Sequence, residues 1–369
     1  MQVFCDRCGK QADFNPKEFR CACGGAWEPP EQADFNPKKI DQGNHTVWRY
    51  RELMGLEAID SPLTLGAGWT PLVEADWGES PVSFKLEYMA PSGSFKDRGT
   101  EVEANFLKQA GISEVVEDSS GNAGASLAAY AARTGLRAAI YAPESASPAK
   151  LAQIAVYGAD LRLIPGPRSA CTQAVLQAAA AGAAVYASHA YNPVYLLGQQ
   201  TFAWEMWEQN GGNLPEALVI PVGQGGLLLG AWMGFKRLLQ AGLIGRIPKL
   251  FAVQPEVLAP IPVAFKAGSD EVDGAVPKEK SLAEGLAIVK PVRGRRILQA
   301  LRESGGGALT VSEAQIRESH GELARKGFYA EPTSAAAAAA IEQVLKITGN
   351  NARIAIALTG SGLKSPMNS

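Results

Sequence analysis

The chain reads as an α/β protein with two open, mainly parallel sheets flanked by helices, preceded by a small N-terminal cysteine knuckle. Three observations predict this. Short apolar runs alternate with alanine-rich helical stretches from about Ile59 onward, Asn210-Gly211-Gly212-Asn213 interrupts that alternation once, and four of the five cysteines fall within the first 23 residues. Alternating strand and helix signals mean parallel strands covered by helices on both faces.

The elements follow in order. Val115-Val116 predicts a strand, Ser119 to Asn122 a turn, and Ala123 to Arg133 a helix. Ala138 to Tyr141 and Leu161 to Ile164 predict strands, with helices over Pro148 to Tyr157 and Ser169 to Ala181. Val185-Tyr186 closes that set before a helix over Leu196 to Glu208. Leu218 to Val222, Phe251 to Val253, Leu309 to Val311 and Ile354 to Leu358 supply further strands, with helices over Glu313 to Arg325 and Ser334 to Lys346. Lys266 to Val292, rich in charges and prolines, reads as a surface loop. The heptapeptide QADFNPK occurs at Gln11 to Lys17 and again at Gln32 to Lys38, a duplicated turn element to which no function attaches.

Composition bounds the function. A 369-residue chain with 46% hydrophobic and 20% charged residues buries a large core and is not disordered. A formal charge of −2 argues against a primary nucleic-acid binder. No apolar run is long enough to span a membrane, and Met1-Gln2-Val3-Phe4-Cys5-Asp6 shows no secretory signal, so the expected location is cytoplasmic. Cys5, Cys8, Cys21 and Cys23 form two close pairs, C-x-x-C and C-x-C, that match a tetrahedral zinc site. The alternative is a metal-free knuckle of reduced thiols. Either way its role is structural, because four thiolates leave no open coordination position. Cys171 reads as a small buried hydrophobe.

Four motifs carry chemistry. In Ser92-Gly93-Ser94-Phe95-Lys96-Asp97-Arg98-Gly99, Lys96 stands at a helix start after an apolar residue, where burial and the positive helix end favour the neutral amine. Such an amine suits imine formation with an aldehyde. Ser119-Ser120-Gly121-Asn122-Ala123-Gly124 opens a helix whose free N–H groups bind an anion. Gly223-Gln224-Gly225-Gly226-Leu227 can cradle a phosphate, and matches neither dinucleotide nor P-loop spacing. Thr359, after the last strand, offers a hydroxyl to a ring nitrogen. Each loop alone also reads as an ordinary capped turn. Together, and expected on one side of an open sheet, an amine, an anion turn, a phosphate loop and a hydroxyl suit pyridoxal phosphate.

These residues resemble the fold-type II pyridoxal-phosphate enzymes, and among them the threonine synthases. The resemblance runs from the cysteine knuckle through Leu65 to Leu72, Gly93 to Gly99, Ser119 to Ser126, Asn192-Pro193, Gly198 to Thr201 and Glu331 to Ala335, ending at Thr359 to Lys364. It implies that Lys96 holds the cofactor and moves the substrate's α-proton. It also implies that Asn122 meets the cofactor's 3-hydroxyl oxygen, that Gly223, Gln224, Gly225, Gly226 and Leu227 hold its phosphate, and that Thr359 faces its pyridine nitrogen. Ser119, Ser120, Asn122 and Ala123 would surround the substrate carboxylate. The implied organisation is a knuckle over 1–30, a large cofactor domain over 31–100 and 210–369, and a small mobile substrate domain over 101–209, in a homodimer acting on a small amino acid. The implied reaction converts O-phosphohomoserine and water to threonine and phosphate.

The substrate side departs from that family. Many threonine synthases carry Asn-Ser, and an arginine after Asn-Pro, to hold the substrate phosphate. This chain has His189-Ala190 and Tyr195 there. Tyrosine cannot replace the bidentate charge of arginine. His189 and Tyr195 are therefore candidate substrate residues, and elimination or replacement at the β-carbon of serine-, threonine- or phosphoserine-like substrates is the alternative reaction.

Overall fold

The computed structural model describes residues 1–30, 35–182 and 184–365. Gln32 to Asp34 of the second QADFNPK copy lie outside these. Three strands, β1 (Gln2–Cys5), β2 (Gln11–Asp13) and β3 (Trp27–Glu28), form a small antiparallel sheet in the order β2-β1-β3. Then come β4 (Leu72–Trp77), β5 (Ser80–Lys85), α1 (Lys96–Gln109), β6 (Glu114–Glu117), α2 (Asn122–Thr134) and β7 (Arg137–Pro143). They are followed by α3 (Pro148–Val156), β8 (Asp160–Ile164), α4 (Arg168–Ala180), β9 (Val185–Tyr186) and α5 (Pro193–Gln209). The last part of the chain adds β10 (Ala217–Pro221), α6 (Gly226–Gln240), β11 (Lys249–Pro255), α7 (Pro260–Lys266) and α8 (Gly294–Glu303). It closes with β12 (Gly307–Val311), α9 (Glu313–Arg325), α10 (Pro332–Ala338), α11 (Ile341–Thr348) and β13 (Ile354–Ala357). No described helix is long and apolar enough to cross a membrane.

Two compact units result. Among the described residues the first comprises 1–30, 36–69 and 90–199, and the second Phe35, 70–89 and 200–365. The division falls inside α5, ahead of the glycine-rich break at 210–213. Residues 36–69 and 90–100, expected with the large domain, pack in the first unit, and of that expected stretch Phe35 and 70–89 join the second.

The first unit carries a four-stranded parallel sheet in the order β8-β7-β6-β9. Helix α2 closes on Gly135, whose φ of 78° and N–H bond to the Ala131 carbonyl end the helix in the left-handed conformation glycine tolerates. The second unit carries a six-stranded sheet in the order β12-β11-β10-β13-β5-β4, parallel except for the antiparallel edge pair β4–β5. Its central strands, ALVIP in β10 and IAIA in β13, are buried along their whole length, as strands covered on both faces must be.

Two expectations are corrected. The helix predicted over Ser334 to Lys346 is two helices, because the chain bends at Ala339-Ala340 so that Ala335 to Ala338 as well as Ile341 and Val344 reach one core. Lys266 to Val292 is not a plain surface loop: Ala283 and Leu286 sit in the hydrophobic core of the second unit.

Candidate active site

In an open α/β sheet, ligands collect beyond the carboxyl ends of the strands, where successive strands are added in opposite directions. Each parallel sheet has one such switch point. In the first unit β7 and β8 extend one way from β6 while β9 lies on its other side, so the switch point is between β6 and β9. In the second unit it lies between β10 and β13. The four motifs therefore do not share one sheet. Ser119 to Gly124 follows β6, whereas Gly223 to Leu227 follows β10 and Thr359 follows β13. The Lys96 loop follows no strand of its own unit and leads directly into α1.

Lys96 is the first residue of α1 and is half-buried, its Nζ 4.6 Å from the centre of the Phe95 ring. Asp97 beside it is fully buried. Its carboxylate accepts from the Ser92 N–H at 2.6 Å, the Ser92 hydroxyl at 2.5 Å and the Ser126 hydroxyl of α2 at 2.6 Å. Asp97 thus ties the lysine turn to α2 and fixes where Lys96 leaves the backbone. Gly99 must lack a side chain, since a Cβ there would lie 2.4 Å from the Tyr195 ring. The Ser94 hydroxyl is buried with no hydrogen-bond partner among the described residues. A buried polar group left unpaired is costly, so a ligand that satisfies it is favoured.

Asn122 opens α2, and the first N–H groups of that helix lack intrahelical partners. Ser119 is buried and Ser120 partly so, with Gly124 packed so closely that a Cβ would overlap the Ser119 carbonyl oxygen at 1.9 Å. Small residues here let the turn close over the helix end, and Ala123 is likewise buried.

Two acids precede this turn. Glu117 ends β6 with 1% of its surface exposed, and His189, three residues past β9, meets Glu117 Oε1 through Nδ1 at 2.7 Å. Burial pushes the Glu117 carboxyl well up, Asp118 and Glu103 add to this, and Arg168 and Lys96 oppose it. Lys96 is therefore within the electrostatic reach of Glu117. Glu103, on α1, accepts from the Asn192 amide at 2.6 Å and is pushed up to about 8, chiefly by burial. Asp118 accepts from Tyr186 at 2.7 Å and from Thr172 at 2.5 Å. Tyr195 is fully buried with its ring against Gly99, and its hydroxyl has no hydrogen-bond partner among the described residues.

In the second unit, Gly225 caps α6 with a φ of 82°, a left-handed conformation, and a Cβ there would strike Ile297 at 2.4 Å. The turn presents the unpaired N–H groups that begin α6. Its support comes from the segment expected to be a loop: Gln224 accepts from the Val292 N–H at 3.0 Å, and the Gly285 carbonyl lies 2.7 Å from where a Gly223 Cβ would be. Thr359 is buried, level with Val222 by the register of β13 on β10. Ser334 accepts from the Thr359 and Gly360 N–H groups at 2.9 and 3.1 Å, and lies 3.2 Å from the Thr359 hydroxyl. With both lone pairs engaged, Ser334 donates to Thr359, which leaves the Thr359 proton for another acceptor. A pyridine nitrogen is such an acceptor.

Sequence reading missed Glu117, Asp97 and Ser334. A signal existed for Glu117: two consecutive acids at a strand's carboxyl end are uncommon unless something holds them. For Asp97 and Ser334 only the packing tells.

Cys5, Cys8, Cys21 and Cys23 converge in the first unit, with all four sulfurs within 4.8 Å of one another. Tetrahedral zinc with Zn–S bonds of about 2.3 Å needs sulfur–sulfur edges of about 3.8 Å. Cys5 to Cys23 is 3.4 Å and Cys8 to Cys21 is 3.8 Å. Gly25 passes so close that a Cβ would lie 2.6 Å from Cys5 Sγ, and its N–H is the main reason the Cys23 thiol is lowered to about 7. Cys171 is buried, as expected.

Fold and site together define a fold-type II α/β enzyme that carries an amine and an anion turn in one unit, a glycine loop and a strand-end hydroxyl in the other. The chain belongs to the pyridoxal-phosphate dependent enzymes, whose family profile matches residues 63–360. It is 33% identical to a threonine synthase of Methanocaldococcus jannaschii, with 98% of this chain and 92% of that protein covered. It is also 33% identical to a threonine synthase of Synechocystis sp., covering 88% and 86%. Among solved structures it is similar to a threonine deaminase of T.th., with a TM-score of 0.70 and 26% identity over 81% of this chain and 94% of that one. The serine racemase of Dictyostelium discoideum superposes with a TM-score of 0.68 at 25% identity, over 81% and 93%.

When bound, pyridoxal phosphate supplies an electrophilic aldehyde and a ring that accepts electrons from the amino acid. The residues present fit that group. In the first unit Lys96 would be able to hold an aldehyde and move a proton; in the second, α6 and its glycine loop would be able to bind a phosphate and the hydroxyl of Thr359 to meet a ring nitrogen without protonating it. A neutral partner makes the ring a weaker electron sink than a carboxylate partner would, which favours elimination and replacement over transamination.

Proposed function

We propose that the protein is a carbon–oxygen lyase of threonine-synthase type, converting O-phosphohomoserine and water to threonine and phosphate. The observation that carries this is the similarity to the M. jannaschii threonine synthase along almost the whole of both chains. In this reading Lys96 binds the cofactor and shuttles the proton, Asn122 meets its 3-hydroxyl oxygen, Gly223 to Leu227 bind its phosphate and Thr359 its ring nitrogen. Ser119, Ser120, Asn122 and Ala123 take the substrate carboxylate.

A second reading, β-elimination or replacement on serine- or threonine-like substrates, is favoured by one feature. The position expected to bind the substrate phosphate holds His189 bonded to a buried acid, with Glu103 and Asp118 close by and Tyr195 turned into the packing. The deciding experiment supplies O-phosphohomoserine to the cofactor-loaded protein and follows phosphate and threonine together. Equal release of both supports the first reading. No turnover, alongside formation of keto acid from serine or threonine, supports the second.

The cysteine knuckle is read as a structural zinc site. Metal analysis of the purified protein should give one zinc per chain, released when the thiols are alkylated or mercurated.

A further inference from the structure

His189 and Glu117 form a part-buried pair that the cofactor contacts of the proposed reading leave unused. Glu117 ends β6 and His189 lies three residues past the adjacent parallel strand β9, at the switch point of the first unit, where Val115 pairs with Val185 and Val116 with Tyr186. The serine turn that would take the substrate carboxylate begins two residues after Glu117. We propose that His189 is the acid that protonates the leaving oxygen of the substrate, and that Glu117 is the positioning residue that holds its ring and keeps it charged with a proton. This rests on the reading of the protein as a carbon–oxygen lyase and holds for either substrate class.

The pair shares its protons in one of two equivalent ways. Either Glu117 carries one and donates to Nδ1, or Nδ1 carries it and donates to the carboxylate; in both, Nε2 bears the other. The groups facing Glu117 are Asp118, Glu103, Arg168, Lys96 and Tyr186, and the ring of Tyr195 lies 6.2 Å from that of His189. Burial and the neighbouring acids favour retention of the shared proton at neutral pH. In the elimination step a base, Lys96, takes the proton from the carbon next to the one bearing the leaving group. That carbon–hydrogen pair becomes the new carbon–carbon π bond, and the carbon–oxygen pair departs on oxygen. The oxygen takes the Nε2 proton, and the shared proton of the pair moves to restore a neutral imidazole. The protein's proton count is unchanged, since Lys96 gains what the pair loses.

The test compares oxygen and chloride as leaving groups, because chloride departs without a proton. For the wild type, His189→Gln and Glu117→Gln, kcat/KM is measured on O-phosphohomoserine, or on serine if only serine reacts, and on β-chloro-L-alanine. His189→Gln should lower the oxygen-to-chloride ratio by about 10²-fold or more. Glu117→Gln should lower it less and move the alkaline limb of the oxygen reaction to lower pH. The sequence has three histidines, so ¹⁵N-histidine NMR can resolve His189 in the cofactor-free and loaded protein alike. An Nδ1 held in the shared hydrogen bond across neutral pH, protonated or accepting, and released at lower pH in Glu117→Gln is expected. Equal losses on both leaving groups, or a His189 that titrates like a free imidazole regardless of Glu117, would overturn the proposal. Failure of O-phosphohomoserine alone overturns only the substrate reading.

Discussion

Asp97 and Gly99 hold in place the helix that carries Lys96, the proposed cofactor anchor. Lys96→Ala should cut turnover by about 10³-fold or more, since it removes both the cofactor's covalent anchor and the proton carrier. The check is steady-state turnover, with the visible absorbance of the loaded protein lost in parallel. Asp97 makes a different prediction. In Asp97→Ala all three donors lose their acceptor in a buried site, at a cost of about 2–3 kcal/mol. The urea midpoint should fall accordingly, and an unchanged midpoint would mean that the three bonds to Asp97 add nothing. At this scale the sequence was informative where chemistry names the residue. Lys96, Asn122 and Thr359 stand out by type and by neighbours, and each is found at the element end that its motif implies. Tyr195 was read as a substrate contact from its position after Asn-Pro, and no sequence pattern could say that its ring would also cover Gly99.

Helix α1 shows what a sequence hides at the scale of an element. Its buried residues include Asp97, Arg98, Glu101 and Glu103, so it has no apolar stripe, and beyond its first residue the pattern gave no helix to predict. Its fit against α5 depends on small residues on both sides: a Cβ at Gly198 would lie 2.1 Å from the Arg98 carbonyl. Gly198→Ala should therefore cost about 1–3 kcal/mol through a forced shift of the two helices, measured by denaturant unfolding, and should lower turnover as Lys96 moves with α1. An alanine variant as stable and active as the parent would show that the helices separate freely. The bend between α10 and α11 and the hairpin β4–β5 escaped for a related reason. An alanine run carries no mark of where it bends, and the exposed, charged residues of β4 belong to a sheet edge.

For the whole molecule, the buried acids set a pH dependence. Glu103 has a folded-state value of about 8 against 4.5 for a free carboxyl, so between these values the folded chain binds more protons than the unfolded one. Its contribution is fully present below about 4.5 and is lost as pH rises through 8, at no more than about 1.4 kcal/mol per pH unit. Urea unfolding at pH 5.5 and 7.5 should show this fall, and Glu103→Gln should flatten it. A slope identical in the variant would place the effect elsewhere. The knuckle makes a second global prediction. Its core is small, with Val3, Cys5, Cys21 and Trp27 as its buried members. Stripping the metal should therefore lower Tm by several degrees, because so small a core holds its fold poorly without a staple. A Tm indifferent to metal removal would mean that the thiols fold the knuckle unaided.

The sequence by itself determined the class of the protein: the alternation of strands and helices, the motifs proposed to hold the cofactor and the cysteine cluster are all local patterns, each written in a few neighbouring residues. Tertiary structure alone decided which strands share a sheet, hence that three of the four motifs divide between two switch points while the Lys96 loop leads into a helix, and that 283–288 backs the glycine loop. It alone joined Glu117 to His189, 72 residues apart. Strand order and the pairing of buried charges depend on contacts distant in the chain, and no periodicity within a window of residues encodes them.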